Sequence, residues 1–276
     1  MLNSAYINQQ SNYLLSCGII NAKNEIIWYI EYKLKLSKND YLKFKTQSLT
    51  INTKNLIDTF INLRKKNIPY QYIMKRVDFF GKEFYIDNRA LIPRVETETI
   101  IRYLQPQHKF NNVLEVGIGS GVISSMISLL SIGKKILATD ISKPALQLAK
   151  KNISYHNINN ISLMQHNILK ESFSQKFDLI ISNPPYIALS DFKNLDDSIK
   201  NFEPRQALTD EEDGLIFYRR FAQIIKKILT SDGIFYCEIG LPSSLQDIEL
   251  IFSSNYSIKK IYDWNNDPRF LEIKCL

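Results

Sequence analysis

The segment Asn183-Pro184-Pro185-Tyr186 carries the most specific chemical pattern in the sequence, and it directly follows an apolar run at 178–182. Two consecutive prolines end a strand and remove two N–H donors, so the Asn183 side-chain amide and the Pro184 carbonyl can be held in a fixed, outward geometry. Two such acceptors suit the two hydrogens of a planar NH2 group, with the Tyr186 ring packed on its face. The pattern predicts a site that orients a planar nitrogen toward an electrophile; the alternative is a proline-terminated strand entering an ordinary loop.

A glycine-rich turn at 115–121 predicts a second half of such a site. Its glycines allow a sharp strand-to-helix turn and close approach of a ligand, and we expect free N–H groups at the helix start to face that ligand. The G-x-G-x-G spacing is neither a P-loop nor the dinucleotide G-x-G-x-x-G, so it favours an adenosine cofactor without a pyrophosphate. Asp140, at the end of the next predicted strand, is the predicted ribose ligand. The alternatives are an ordinary tight turn and, for Asp140, a helix N-cap.

These segments need a parallel sheet to bring the ends of several strands to one edge. From residue 110, apolar runs of strand length alternate with amphipathic stripes, which predicts an α/β fold whose ligands bind beyond the carboxyl ends of the strands. Upstream, residues 77–85 predict a hairpin around Gly81, and Ile92-Pro93 leads into a helix that begins near Glu96. We predict strands at 112–116, 135–139, 161–165, 177–182, 233–239, 258–264 and 270–275, and helices at 122–130, 144–156, 215–229 and 244–251.

The first quarter of the chain differs in charge from the rest. Residues 1–75 hold eleven Lys and Arg against four Asp and Glu, whereas the remaining residues hold 24 of each. Apolar residues spaced by three and four at 25–35 and 54–66 predict amphipathic helices. We therefore predict a basic helical recognition domain at 1–75, a hairpin linker at 76–95 and a catalytic domain at 96–276. The basic surface suits a large acidic partner, or is a merely solvated face.

Composition favours a globular protein of the cytoplasm. Apolar residues make up 45% of the chain, too many for a disordered segment. Three widely spaced cysteines and three histidines without a ligand spacing (His108, His156 and His166) predict neither disulfides nor a metal site. No apolar stretch is suited to span a membrane and the N-terminus has no export-signal pattern, so we expect no membrane association.

Together, the glycine turn, Asp140 and the Asn-Pro-Pro-Tyr segment resemble the class I S-adenosylmethionine-dependent methyltransferases that methylate a planar nitrogen. Two flanking motifs, IPRVETE at 92–98 and FEPRQAL at 202–208, together with Arg269, resemble more narrowly the peptide-chain release factor glutamine N5-methyltransferases (HemK/PrmC type). The resemblance runs from about residue 70 to the end. It implies a Rossmann-like methyltransferase sheet joined by a β-hairpin to a small N-terminal helical domain. It also implies methyl transfer from S-adenosylmethionine to the glutamine side-chain amide in the Gly-Gly-Gln motif of class I release factors.

The resemblance also implies roles for individual residues. The catalytic residues would be Asn183, Pro184 and Tyr186, with Pro185 and Arg94 joining them in the substrate site. The sequence departs from the family pattern at Val95, where a second proline is usual, and at Asn167, where an acid commonly meets the adenine amino group; the Asn167 oxygen can still accept that hydrogen bond. The cofactor site would comprise Glu115, Gly117, Ile118, Gly119, Ser120, Gly121, Asp140, Asn167, Ile168 and Asn183.

Four other functions stay open. A DNA or RNA methyltransferase acting on adenine N6 or guanine N2 would use the same acceptors on a flipped base, with the basic N-terminus against phosphates. A ribosomal-protein glutamine methyltransferase is a nearer relative. A dehydrogenase is disfavoured by the glycine spacing, and a non-catalytic adaptor would need neither half of the site. We expect class I release factors as partners, no stable nucleic-acid partner and a monomer.

Overall fold

The computed structural model describes residues 1–106, 109–240 and 245–276. The chain divides into two compact units, one formed by Met1–Lys75 with Asp197–Phe202 and the other by Arg76–Asp196 with Glu203–Leu276. His108 and Ser244, the first residue of the last predicted helix, lie outside the described residues. No helix in these described ranges is both long and apolar enough to cross a membrane.

The first unit is helical, as the apolar spacing predicts. Fully buried side chains of Ile26, Ile30, Ile57 and Phe60 form the middle of its core. Helix starts are capped by side chains that accept backbone N–H groups, Ser37 before the third helix and Thr50 before the fourth. The helices are α1 (Asn3–Ser16), α2 (Ala22–Leu34), α3 (Lys38–Phe44), α4 (Ile51–Arg64) and α5 (Tyr70–Met74).

The second unit contains, among the residues described, a two-stranded hairpin and a seven-stranded sheet. The hairpin turns at Gly81, whose φ of 70° suits a residue without a side chain. Its strands are β1 (Arg76–Phe79) and β2 (Lys82–Tyr85); the sheet contains β3 (Phe110–Val116), β4 (Gly133–Asp140), β5 (Ile161–Gln165), β6 (Phe177–Ser182), β7 (Leu229–Glu238), β8 (Tyr256–Tyr262) and β9 (Pro268–Cys275).

The strand order in the sheet is β5-β4-β3-β6-β7-β9-β8. Strands β3 to β7 pair in parallel, and β9 joins β7 and β8 in antiparallel pairs. The chain runs outward from β3 to β5 and then returns to the other side of β3 as β6, so β3 and β6 form the switch point where ligands bind in such sheets. The predicted α/β class, with a mostly parallel sheet and a helical N-terminal part, is confirmed.

The helices predicted after the hairpin lie close to their predicted positions, and two short helices, Leu189–Phe192 and Asp197–Phe202, were not predicted. A 3-10 turn, Val95–Thr97, precedes the helix predicted near Glu96, and a second such turn is Arg205–Ala207. The helices are α6 (Glu98–Leu104), α7 (Val122–Leu129), α8 (Lys143–Tyr155), α9 (Leu189–Phe192), α10 (Asp197–Phe202), α11 (Ile216–Ile228) and α12 (Leu245–Phe252).

Of the seven sheet strands, β5 and β6 have the predicted bounds and the other five differ at one or both ends. Two of these differences have a clear physical reason. Strand β7 begins at Leu229, four residues before its predicted start, because its pairing with β6 continues past a register irregularity. The sequence at 230–233 resembles a turn, which is why the prediction starts the strand later. Strand β8 ends at Tyr262, before Trp264, because the Asp263 carboxylate accepts the N–H groups of Asn265 and Asp267 and closes a turn there.

Candidate active site

The switch point brings the two predicted halves of the site together. Val116 at the end of β3 is in register with Ser182 at the end of β6, so the glycine turn and Asn183 follow neighbouring strands at the same edge. A cavity opens at this edge. Gly121 and Tyr186 are not among its lining residues, whereas the other predicted site residues are: Arg94, Glu115, Gly117, Ile118, Gly119, Ser120, Asp140, Asn167, Ile168, Asn183, Pro184 and Pro185.

The glycine turn has the backbone conformation that its glycines allow. Gly117, Gly119 and Gly121 have φ values of 78°, 54° and 85°, in the left-handed region that other residues rarely adopt. A Cβ on Gly121 would also lie 3.2 Å from the Cβ of Ala149 on α8. Gly121 therefore lies outside the cavity because it packs the turn against α8.

Most N–H groups of this turn are already used, contrary to the expectation that they face a ligand. Those of Gly117 and Ile118 donate to the Thr139 carbonyl at 2.9 Å, and that of Gly121 donates to the Ile118 carbonyl at 2.8 Å. The N–H of Gly119 donates to Asp140 Oδ2 at 3.0 Å. Of the five residues from Gly117 to Gly121, four thus donate their N–H groups to protein acceptors. The turn is therefore poorly suited to bind a phosphate.

Asp140 lies at the end of β4 with its carboxylate at the cavity. Oδ1 accepts the Ser142 N–H at 2.9 Å, and the cap of α8 is Ser142, which excludes the N-cap alternative for Asp140. Burial raises the pKa of Asp140, and backbone N–H groups of Ser142, Gly119 and Ile141 act in the opposite direction. The bonds from Gly119 and Ser142 take one acceptor site on each carboxylate oxygen, and the capacity that remains suits ligand hydroxyls.

Glu115 connects the glycine turn to the helix that follows it. Its Oε2 accepts both the N–H and the hydroxyl of Ser124, in the first turn of α7. Burial raises the pKa of Glu115 to about 8, and the nearby Asp140 adds to the effect. One oxygen of this predicted cofactor residue is therefore committed to positioning the helix.

The residues after β5 form an apolar end of the cavity. Ile168 is buried in the main core, and Asn167 Oδ1 accepts the Leu169 N–H at 3.0 Å, which leaves that oxygen one lone pair. The His166 ring stacks on Phe173 with centroids 4.2 Å apart, and burial lowers the His166 pKa. This end can take a flat, largely apolar group with a single hydrogen-bonding edge.

At the opposite end, Asn183 contacts two buried polar side chains. Its Nδ2 lies 3.5 Å from the hydroxyl of Thr97, and hydrogen bonding from Asn183 works to lower the pKa of the Glu238 carboxyl. Thr97 donates its own hydroxyl hydrogen to Glu238 Oε2 at 2.7 Å. Burial raises the pKa of Glu238 to about 7. Among the described residues, no donor to the Pro184 carbonyl is found.

Tyr186 packs beside the cavity instead of lining it. A Cβ on Gly240 would lie 2.8 Å from Cδ2 of the Tyr186 ring, and a Cβ on Gly214 would lie 2.5 Å from the Tyr186 carbonyl. Burial raises the pKa of the Tyr186 phenol, so it stays protonated at neutral pH. The ring therefore fixes the backbone after the two prolines, and the prediction that it faces a substrate stays a prediction.

The two flanking motifs meet through one carboxylate. Glu203 Oε1 pairs with Arg94 Nη2 at 2.5 Å, and Glu203 Oε2 accepts the Ile92 N–H at 2.9 Å. The Glu203 side chain is only 1% exposed, so this ion pair fixes the loop that leads to Thr97. Arg94 lines the cavity as predicted, with part of its guanidinium committed to Glu203.

Sequence reasoning missed several supporting residues. Glu238 carried a signal, since it is a carboxylate that ends an apolar strand directly before Ile239-Gly240. Asn152 carried none: its side chain bonds both backbone groups of Tyr85 and the Ser120 carbonyl, and thereby ties the glycine turn to the hairpin. In the described ranges, no group of three His, Cys, Asp or Glu residues could hold a metal ion.

Comparisons with known proteins agree with this geometry. The family model "Methyltransferase small domain" matches residues 95–201. A crystal structure of a methyltransferase from Pyrococcus furiosus has a TM-score of 0.54 at 21% identity, over 76% of this chain and 96% of that chain, a likeness that shows the fold alone. The family model thus places a methyltransferase domain at residues 95–201, within the fold described above.

Curated relatives define the family more narrowly. A release factor glutamine methyltransferase of Fusobacterium nucleatum is 30% identical over 99% of this chain and 78% of its own length. A second, from Streptococcus pneumoniae, is 34% identical over 78% of each chain. The chain belongs to the release factor glutamine methyltransferase family, which confirms the family predicted from the sequence motifs.

Proposed function

We propose that this chain transfers the methyl group of S-adenosylmethionine to the side-chain amide nitrogen of the glutamine in the Gly-Gly-Gln motif of peptide-chain release factors. The observation that carries the proposal is the pair of acceptors at the end of β6. Asn183 and Pro184, which carry these two acceptors, line the cavity across the switch point from the glycine turn. Family membership supports the same activity, because the relatives are named for it.

The other half of the cavity fits an adenosine cofactor without phosphates. The N–H groups of the turn have protein acceptors, so a phosphate would find few donors, whereas Asp140 can accept two ribose hydroxyls. Ile168 offers an apolar surface to the adenine, and Asn167 keeps one lone pair for its amino group. When bound, S-adenosylmethionine supplies a methyl group on a positively charged sulfur.

The residues of this chain would act mainly by positioning. Asn183 and Pro184 accept the two hydrogens of the glutamine NH2 group and fix the direction in which its nitrogen faces. The nitrogen gains the methyl group and releases one proton, and no strong base is required before the transfer. Tyr186 is partly buried and its pKa is raised, so it stays protonated and we assign it no proton transfer.

We place recognition of the protein substrate on the basic helical unit. Its acids are partly used internally, since Glu25 pairs with Arg64 and Asp58 pairs with Lys54. Exposed lysines such as Lys65 and Lys66 at the end of α4 leave a positive surface for an acidic release factor or the RNA-rich assembly around it. A reaction on translation factors also favours the cytoplasm.

The test is to incubate the chain with methyl-labelled S-adenosylmethionine and to offer release factor, tRNA, rRNA and DNA separately. We expect label in the release factor alone. A release factor whose Gly-Gly-Gln glutamine is replaced by glutamate is the matched control and should take up none. Label in nucleic acid and not in release factor would overturn the proposal, and so would equal labelling of the control.

The recognition surface has its own test, with matched lysine pairs. Reversing Lys65 and Lys66 to glutamate should raise the KM for release factor roughly threefold to tenfold, with an unchanged dissociation constant for S-adenosylmethionine. Lys226 and Lys227 occupy the end of α11 in the same way, so their reversal carries a similar helix-dipole cost. Equal effects of the two pairs would show that the N-terminal unit has no special role.

A further inference from the structure

We infer that Thr97 and Glu238 are positioning residues that fix the orientation of the Asn183 carboxamide, so that its oxygen and not its NH2 group meets the substrate. This inference rests on the proposed function and deepens it. An asparagine side chain can be turned by half a rotation with little change in shape, which exchanges an acceptor for a donor at the same place. A site that must accept hydrogens therefore needs a second group that selects one orientation.

The hydrogen bonds around Asn183 make that selection. A threonine hydroxyl has a single hydrogen, and Thr97 gives it to Glu238 Oε2 at 2.7 Å. The Thr97 oxygen can then only accept, and the nearest polar atom of Asn183 is its Nδ2 at 3.5 Å. In its ionised form, which predominates above about pH 7, Glu238 also only accepts, so both partners then favour the NH2 group of Asn183. Its oxygen is left for the cavity.

Burial makes the selection strict. Thr97 is 3% exposed and Glu238 is 1% exposed, so water cannot easily replace either partner. Turning the amide would bring its oxygen against two acceptors and leave buried polar atoms without partners. The turned amide would also present N–H donors to the substrate NH2 group, which itself can only donate hydrogen bonds.

The fold places these residues through three separate elements. Ser182 and Cys237 are in register on β6 and β7, so Asn183 and Glu238 come one step later on neighbouring strands. Thr97 ends the 3-10 turn Val95–Thr97, whose approach is fixed by Glu203 through Ile92 and Arg94. This explains why the motif at 92–98 and the acid after β7 accompany the Asn-Pro-Pro-Tyr segment.

The decisive variants are Thr97→Val and Thr97→Ser. Valine keeps the shape and removes the hydroxyl, whereas serine keeps the hydroxyl. We expect Thr97→Val to lower kcat for release factor at least tenfold with the S-adenosylmethionine dissociation constant changed less than twofold, and Thr97→Ser to stay within about threefold of the parent. Thr99→Val removes the hydroxyl of another buried threonine, two residues along, that does not line the active-site cavity, and should leave kcat unchanged. Equal activities of the valine and serine variants would overturn the inference.

A readout on the chain without substrate separates this inference from the proposed function. In a nitrogen-15 NMR spectrum, the side-chain NH2 signal of Asn183 is identified by its loss in Asn183→Ala. We expect slow hydrogen exchange of this signal in the parent and in Thr97→Ser, and exchange at least tenfold faster in Thr97→Val. The same exchange rate in all three would overturn the inference even if release factor is methylated. A parent that methylates no release factor would overturn only the proposed function.

Glu238 gives a second pair of variants with the same logic. Glu238→Gln can still accept from Thr97, whereas Glu238→Met cannot, so we expect the methionine variant to lose at least tenfold more kcat than the glutamine variant. Glu272 is the matched control, since it is a buried carboxylate on β9 that accepts the hydroxyls of Tyr103 and Tyr236. If Glu272→Met lowers kcat as much as Glu238→Met, the effect is structural and the inference fails.

Discussion

The two halves of the cavity are built from different kinds of contact. The glycine-turn half (residues 115–140) is held largely within its own segment, with Gly119 bonded to Asp140, 21 residues later, and Glu115 bonded to Ser124. The asparagine half (residues 183–186) is held by side chains from distant segments, since Asn183 contacts Thr97, 86 residues earlier. The sequence motif therefore includes most of the residues that shape the glycine-turn half. For the asparagine half it includes only the residues at the cavity, and not the distant side chains that hold them.

This difference predicts separate functional effects for the two halves. Changes in the glycine-turn half should act on the fold and on cofactor affinity, because the turn is itself the supporting structure. Changes in the asparagine half should act on methyl transfer, because its supporting residues are elsewhere. The following predictions are ordered by the size of the expected effect.

The largest effect is expected for Asn183→Ala. The loss of one of two acceptors leaves the substrate nitrogen free to turn, so kcat should fall by about 10² to 10³. The S-adenosylmethionine dissociation constant, measured by calorimetry, should change less than twofold, since only the side chain is removed. A large loss of cofactor affinity would show that the two halves are not separate and that the acceptor role of Asn183 is wrong.

A smaller effect on stability is expected for Gly121→Ala. The residue has φ of 85°, and an added Cβ would lie 3.2 Å from the Cβ of Ala149, so strain and a close approach combine. We expect a loss of about 2 to 3 kcal/mol in the free energy of unfolding, measured with denaturant, and weaker S-adenosylmethionine binding.

Gly18 provides the matched control for that substitution. Its φ is 86°, and an added Cβ would meet nothing within 4 Å, so Gly18→Ala measures the backbone strain alone, about 1 kcal/mol. If both variants lose the same stability, the contact with α8 contributes nothing to the turn.

The same comparison explains what the sequence could predict. Strand-length apolar runs gave the sheet, because strands buried on both faces leave a continuous signal. Gly117 and Asp140 could be located from the sequence. A backbone with positive φ favours glycine, and a carboxylate directly after an apolar strand is unusual unless it has a role there. The family resemblance then supplied the substrate.

The orientation of Asn183 could not be predicted in the same way. It depends on the register of β6 with β7 and on the position of Thr97, which are set by tertiary packing. The state of the turn N–H groups was also beyond the sequence, because the Thr139 carbonyl that accepts two of them lies on the neighbouring strand. Likewise, the packing of the Tyr186 ring against Gly240 could not be predicted from the motif.

Outside this order of size, a pH dependence of stability is expected from Glu115. Burial raises its pKa from 4.5 to about 8, so the folded chain binds this proton more tightly than the unfolded chain. The resulting stability is fully present below about pH 4.5 and is lost as the pH rises to about 8. Glu115→Gln keeps an acceptor for Ser124 and does not titrate. The parent should therefore lose stability relative to this variant between pH 5 and pH 8, as measured by denaturant unfolding.

Glu272→Gln is the control, because the expected sign there is opposite. Burial works to raise the pKa of Glu272, but hydrogen bonds from Lys274, Tyr103 and Tyr236 outweigh it and hold the pKa below 4.5. Its stabilising contribution is present above that pH and is lost as the pH falls further, so the parent and Glu272→Gln should keep a constant difference from pH 5 to pH 8. A constant difference for Glu115→Gln as well would mean that Glu115 stays ionised, and that Ser124 holds a carboxylate beneath the glycine turn throughout this range.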